Sequence, residues 1–192
     1  MYEDAARPIL GGAAVETWNV LVTAHEGRRD ALLPVLRRLG VFRGGGYRNV
    51  ALGRVDDVPA FLDALAAVLA AEPWMRQVLA RVVPIDRSVT VDPADPLAAL
   101  EPAVRELAPR LAGGTFHVRL ERRGLKGALH TAELERTLGG VVWRALEAAG
   151  EVPRVTFRDP DRVLAVETLG VRAGLGVIER ATRQRWPFVR VA

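Results

Sequence analysis

The 192-residue sequence is 49% hydrophobic and 26% charged with a formal net charge of +4, a globular composition large enough for one sizeable core or two small ones. It has no cysteine, which excludes disulfides, thiolate zinc sites, iron–sulfur clusters and cysteine nucleophiles. No apolar run approaches the roughly 18 to 20 residues of a membrane span, and residues 1–10 carry Glu3 and Asp4 where a signal peptide would be basic, so a cytoplasmic protein with no membrane partner is expected.

In chain order, short apolar runs predict strands near residues 18–23, 49–55 and 79–85, with helical periodicity between them. The first helix is predicted over 30–39, with Pro34 near its first turn and Gly40 as its stop. The second is predicted over 59–71 with Asp57 as cap, burying Phe61, Leu62, Leu65, Val68 and Leu69. Gly44, Gly45 and Gly46 mark a loop or bulge where a hairpin strand could begin. The N-terminal half, 1–91, therefore reads as a small α+β sandwich.

From Asp92 the chain changes character. The Asp-Pro-Ala-Asp-Pro segment starts an amphipathic connector helix over 96–111 through Leu97, Leu100, Val104, Leu107 and Leu111. Residues 115–121 then alternate, with Phe116, Val118 and Leu120 on one face and His117, Arg119 and Glu121 on the other. A helix from Thr131 turns Leu134, Leu138, Val141, Val142, Ala145 and Ala149 inward and closes at Gly150. Strands are expected at 154–157 and 162–169, then a glycine-spaced segment over 170–178 and a last strand over 186–191. Trp18, Trp74 and Trp143 lie in apolar patterns and read as core, and Trp186 suits core or an exposed platform equally.

Charge divides unevenly between the halves. Residues 1–111 hold 13 basic and 14 acidic side chains, whereas 112–192 hold 14 and 9. All the basic residues but Lys126 are arginine, whose planar fork grips phosphate in two places and stacks on bases. A GC-rich coding bias would produce the same skew.

Catalytic equipment is hard to find. His25, His117 and His130 form no close-spaced pair, so no metal site is expected. Ser88, the sole serine, has no nucleophile-elbow context. The Gly44–Gly46 triplet lacks a phosphate-loop frame, and Gly174 with Gly176 lacks the third glycine of a dinucleotide fingerprint. Asp159 and Asp161 flank Pro160 as turn residues would. No cofactor, no catalytic residue and hence no enzymatic activity is expected of this chain.

The remaining candidates are basic. Arg119, Arg122, Arg123 and Lys126 lie where the alternating strand runs out beside Gly124, and a phosphate chain laid there would meet several charges at once. Arg180, Arg183 and Arg185 form a second cluster after Gly176. A solvated strand face with ordinary turn glycines accounts for the first group as well.

FHVRLERRG (116–124), TAELERTLGGVVWRAL (131–146), VTFRDPDRVLAVETLG (155–170) and VRAGLGVIER (171–180), in that order, resemble the THUMP domain, an RNA-binding module of tRNA-modifying proteins. WNVLVTAHEGRRDALLPVLRRLG (18–40) and AAEPWMRQVLARVVPID (70–86) resemble the ferredoxin-like domain that precedes it. The resemblance implies an α+β protein with a ferredoxin-like domain over 1–91 and a THUMP domain over 92–192. It is strongest for the branch whose members act as tRNA-binding adaptors for cytidine acetylation. With the sequence ending at Ala192, it implies a non-catalytic adaptor that holds the tRNA acceptor stem and 3′ end for a separate modifying enzyme, an acetyltransferase in that branch. An RNA chaperone or protein-interaction module without a modification partner is the alternative.

Overall fold

The computed structural model describes residues 17–125 and 130–191, which form two sheets and the helices packed on them. The first is built from β1 (Val20–Ala24), α1 (Arg29–Leu36), β2 (Val41–Gly44), β3 (Val50–Arg54), α2 (Val58–Ala71) and β4 (Leu79–Pro84). Its strand order is β2-β3-β1-β4 with every pairing antiparallel, so two split β-α-β units interlock in the ferredoxin-like arrangement. The Asp57 carboxylate accepts from the Ala60 backbone N–H at 2.8 Å and starts α2, which buries Phe61, Leu62, Leu65 and Leu69.

Two local expectations need correction. Helix α1 spans only Arg29–Leu36, because Pro34 falls in its second turn and the chain beyond tightens into three-residue turns, with Arg38 N on the Val35 carbonyl and Leu39 N on that of Leu36. The segment before the glycine triplet is a strand, β2, whose Phe42 ring covers Gly53 so closely that a Cβ there would stand 2.1 Å from it.

The second sheet contains β5 (Arg87–Thr90), β6 (Thr115–Arg123), β7 (Arg154–Val155), β8 (Arg162–Leu169) and β9 (Arg172–Glu179), in the order β5-β9-β8-β6-β7. Strand β6 is parallel to both neighbours, and the remaining pairs are antiparallel. Because β5 pairs with β9, the second sheet already begins before residue 92. Helices α3 (Pro96–Leu107) and α4 (Thr131–Ala148) cover one face, meeting Phe116, Val118, Leu120, Leu164, Val166, Ala173 and Leu175. Helix α4 ends where Gly150, at φ +80°, lets Glu151 N reach the Leu146 carbonyl at 3.0 Å.

The other face of β8 and β9 leans on the first unit. Ala165, Leu169 and Ile178 join the core of Trp18, Val82 and Val83, which is why β8 is buried on both sides and reads as a continuous apolar run. Gly174 and Gly176 make that contact possible: a Cβ would come within 2.2 Å of the Trp18 ring at the first and 2.1 Å of the Pro84 carbonyl at the second. The glycine spacing is a packing device. Residues 186–191 do not form the expected strand; after α5 (Arg180–Arg185) the chain touches β4 through one bridge, Val82 with Val189. Trp18 and Trp186 are buried, but Trp74 and Trp143 are exposed, against the expectation of core.

Candidate nucleic-acid interface

Strand β6 carries the first basic group, and its alternation sends Arg122 and Arg123 to opposite faces of the sheet. The strand does not run out before them: Arg122 is paired with Thr168 and Arg123 with Leu169 on β8. Arg123 faces the first unit, where Nη1 meets the Glu167 carboxylate at 2.6 Å and its side chain is 13% exposed. Glu167 also takes Arg81 of β4 at 3.0 Å and is itself 1% exposed. Burial pushes the Glu167 carboxyl up while the two guanidiniums pull it down. Arg123 therefore joins the sheets from inside, a corrected place for a residue expected on the surface.

Arg122 is half-buried on the α3 and α4 side. Arg119 is exposed and lies 3.6 Å from Glu135, whose carboxylate also accepts from Leu120 N at 2.8 Å. Lys126 lies outside the described residues. The second basic group is strapped down as well. Arg180 reaches Asp159 at 3.1 Å and Asp161 at 2.7 Å, while Arg183 reaches Asp159 at 3.3 Å and donates to the Pro160 carbonyl. Arg185 pairs with Asp63 of α2 at 2.8 Å and lies over the Trp186 ring, 4.4 Å from its centre. The Asp161 carboxyl is lowered from its ordinary value, first by the Thr115 backbone N–H and next by its hydroxyl, each at 2.7 Å, with burial opposing. The Asp-Pro-Asp turn thus organises the start of β6 and the start of α5 together.

Where the two sheets meet, the structure assembles a basic group from residues far apart in the sequence. Arg172 opens β9 beside the two-residue hairpin of Gly170 and Val171, on the face turned to the first unit. Arg172 is pulled below its ordinary value first by burial and then by the charge of Arg43 on β2. Tyr47, in the β2–β3 turn, sets its hydroxyl over both Gly124 and Gly170: a Cβ would stand 2.4 Å from that oxygen at the first and 3.2 Å at the second. Both glycines have positive φ, +82° and +60°. Arg29 of α1 donates to the Tyr47 carbonyl at 3.4 Å and completes the group. Arginines keep their charge in such a place, and the planar fork of each suits a phosphate oxygen. The only sequence sign is the β2–β3 turn itself, where Tyr47 and Arg48 follow three glycines.

Among the described residues no group of three or more His, Asp or Glu side chains could hold a metal ion, and no helix is long and apolar enough to cross a membrane. The sequence matches no family pattern and no curated protein. Solved structures do match. TrmN from Thermus thermophilus aligns over 84% of this chain and 45% of its own at 26% identity, with a TM-score of 0.64. A 4-thiouridine synthetase, solved as an RNA complex with bound ATP, aligns over 84% and 41% at 14% identity and a TM-score of 0.52. The THUMP domain of a THUMP domain-containing protein overlaps 42% of this chain and 81% of its own at 19% identity, with a TM-score of 0.33, too loose to argue from. The chain thus shares its two-sheet α+β fold with proteins of which it spans less than half the length.

Proposed function

We propose that this chain is a tRNA-binding THUMP-type protein of a tRNA modification system, holding the acceptor stem and 3′ end while a separate enzyme, an acetyltransferase in the branch it most resembles, supplies the chemistry. The observation that carries the reading is the shared fold over 84% of the chain with TrmN and with a synthetase captured on RNA. The arginine junction supports it. Arg43 and Arg172 come from different sheets, so a phosphate chain gripped there would touch both units at once and its position would be fixed by their relation. Such contacts read backbone and shape rather than sequence, which suits a protein that must accept many tRNAs.

A gel-shift titration tests binding. Intact tRNA should bind in the micromolar range and lose most of its affinity once the unpaired 3′ end is trimmed, while an unrelated duplex binds weakly; equal binding of all three contradicts the reading. The same preparation, incubated with tRNA and common group donors, should leave the tRNA unmodified by mass analysis. Robust turnover by the purified chain contradicts the adaptor role.

A further inference from the structure

A groove of about 460 Å³ lies at the start of β6, between that strand, α4 and the end of β7, away from the arginine junction at the strand's other end. Its floor is one face of α4: Ala132, Glu135, Arg136, Gly139, Gly140 and Trp143 recur at helical spacing. Opposite stand His117 and Phe157, ring to ring at 4.9 Å in an edge-to-face contact. Phe157 is 82% exposed and Trp143 39%, so large aromatic surfaces face solvent within one cavity.

Three observations narrow what belongs there. First, packing does not require the consecutive glycines in the middle of α4. A Cβ on Gly139 would make only an ordinary contact with Val118 at 3.9 Å, and one on Gly140 would meet the mobile tip of Arg144 at 3.3 Å. Glycine inside a helix is unfavourable relative to alanine, so the empty floor is kept at the expense of helix stability. Second, the rim is cationic. Arg136 lines the groove and the Arg144 guanidinium overhangs Gly140, and among the described residues neither has an ion-pair partner. The one acid in the lining, Glu135, is already engaged by Leu120 N and Arg119. Third, that same Glu135 contact blocks the open edge of β6 against an added peptide strand. Exposed rings under an unneutralised cationic rim suit a flat heterocycle attached to phosphate better than an apolar peptide.

We infer that this groove is a stacking site for unpaired nucleobases of an RNA single strand, with Trp143 and Phe157 as the platforms and Arg136 and Arg144 over the adjoining phosphates. The inference rests on the tRNA-binding reading and adds to it the place where the bases, as distinct from the duplex backbone, are received. A volume of about 460 Å³ falls within the range of pockets that enclose a small ligand.

The test uses the full chain and two probes: an RNA hairpin with a four-nucleotide 3′ overhang and the same hairpin blunt. Wild type should prefer the overhang probe. Trp143→Ala and Phe157→Ala, both at exposed positions, should each lower affinity for the overhang probe by about 5-fold or more and leave the blunt probe unchanged. Gly139→Ala with Gly140→Ala should raise Tm and still weaken overhang binding, a combination that a purely structural role for the glycines does not give. If wild type binds neither probe, the tRNA-binding reading fails and this inference with it. If wild type binds both and the aromatic variants keep the overhang preference, or lose both probes equally, the stacking site is overturned while the binding reading stands.

Discussion

Arg123 and Arg172 face the same side of the second sheet, in register across β6, β8 and β9, yet their surroundings are opposite. Arg123 ends on a buried carboxylate shared with Arg81, whereas Arg172 feels the charge of a second guanidinium, that of Arg43. One end of that row ends on a buried carboxylate, and at the other a second arginine acts on the first. An arginine's use is set by what lies opposite in space, and the carboxylates hydrogen-bonded to Arg123, Arg180, Arg183 and Arg185 lie 19 to 122 residues away along the chain, although Arg123 also comes within 3.7 Å of nearby Glu121. Basic clusters in sequence are therefore poor guides to basic surfaces here.

The comparison breaks most visibly at Glu167. Replacing it with Ala strands two arginines at the contact between the sheets, and loss of one partner of a buried pair costs about 3–5 kcal/mol, measurable by denaturant unfolding. A loss below about 1 kcal/mol would mean that the pair is solvated and that Arg123 is available to ligand after all.

Much of the fold was legible because its signals are local. Strand β8 occupies 162–169 as its apolar run predicts, and the Asp57 cap and Gly150 stop act as their types require. What failed was decided elsewhere in the chain. Trp143 lies in an apolar pattern that reads as core, but the helix turns Val141, Val142 and Leu146 inward and leaves Trp143 on the face of Gly139 and Gly140. Trp74 sits in a short three-residue-per-turn helix after Pro73, where neither strand nor α-helical periodicity applies. The strand expected over 186–191 has the right composition, but although β4 offers an open edge the segment after α5 pairs with it through only one bridge, Val82 with Val189. Of the seven basic residues singled out, Arg119, Arg123, Arg180, Arg183 and Arg185 contact acids, and apart from Glu121 beside Arg123 those acids lie well away along the chain.

A smaller effect sharpens the account of the α5 cluster. Asp161 is depressed in the folded protein, so the stability it contributes is present above the ordinary carboxylate pKa and is lost as pH falls through its lower folded value. Thermal melts across acidic pH should show this loss in the wild type and a shallower one in Asp161→Asn. Parallel curves would mean that Thr115 and Arg180 do not hold the carboxylate in solution.

The central claim, that the anion-binding surface lies where the two sheets meet, is tested most directly by the salt dependence of tRNA binding. Each phosphate contact released removes roughly 0.7 to 0.9 from the slope of log affinity against log salt, so Arg43→Ala with Arg172→Ala should shrink it by about 1.4 to 1.8. Arg180→Ala with Arg183→Ala, measured beside it at matched folded fraction, should leave the slope unchanged. The reverse pattern, with the slope falling in the α5 variant and intact in the junction variant, would contradict the account.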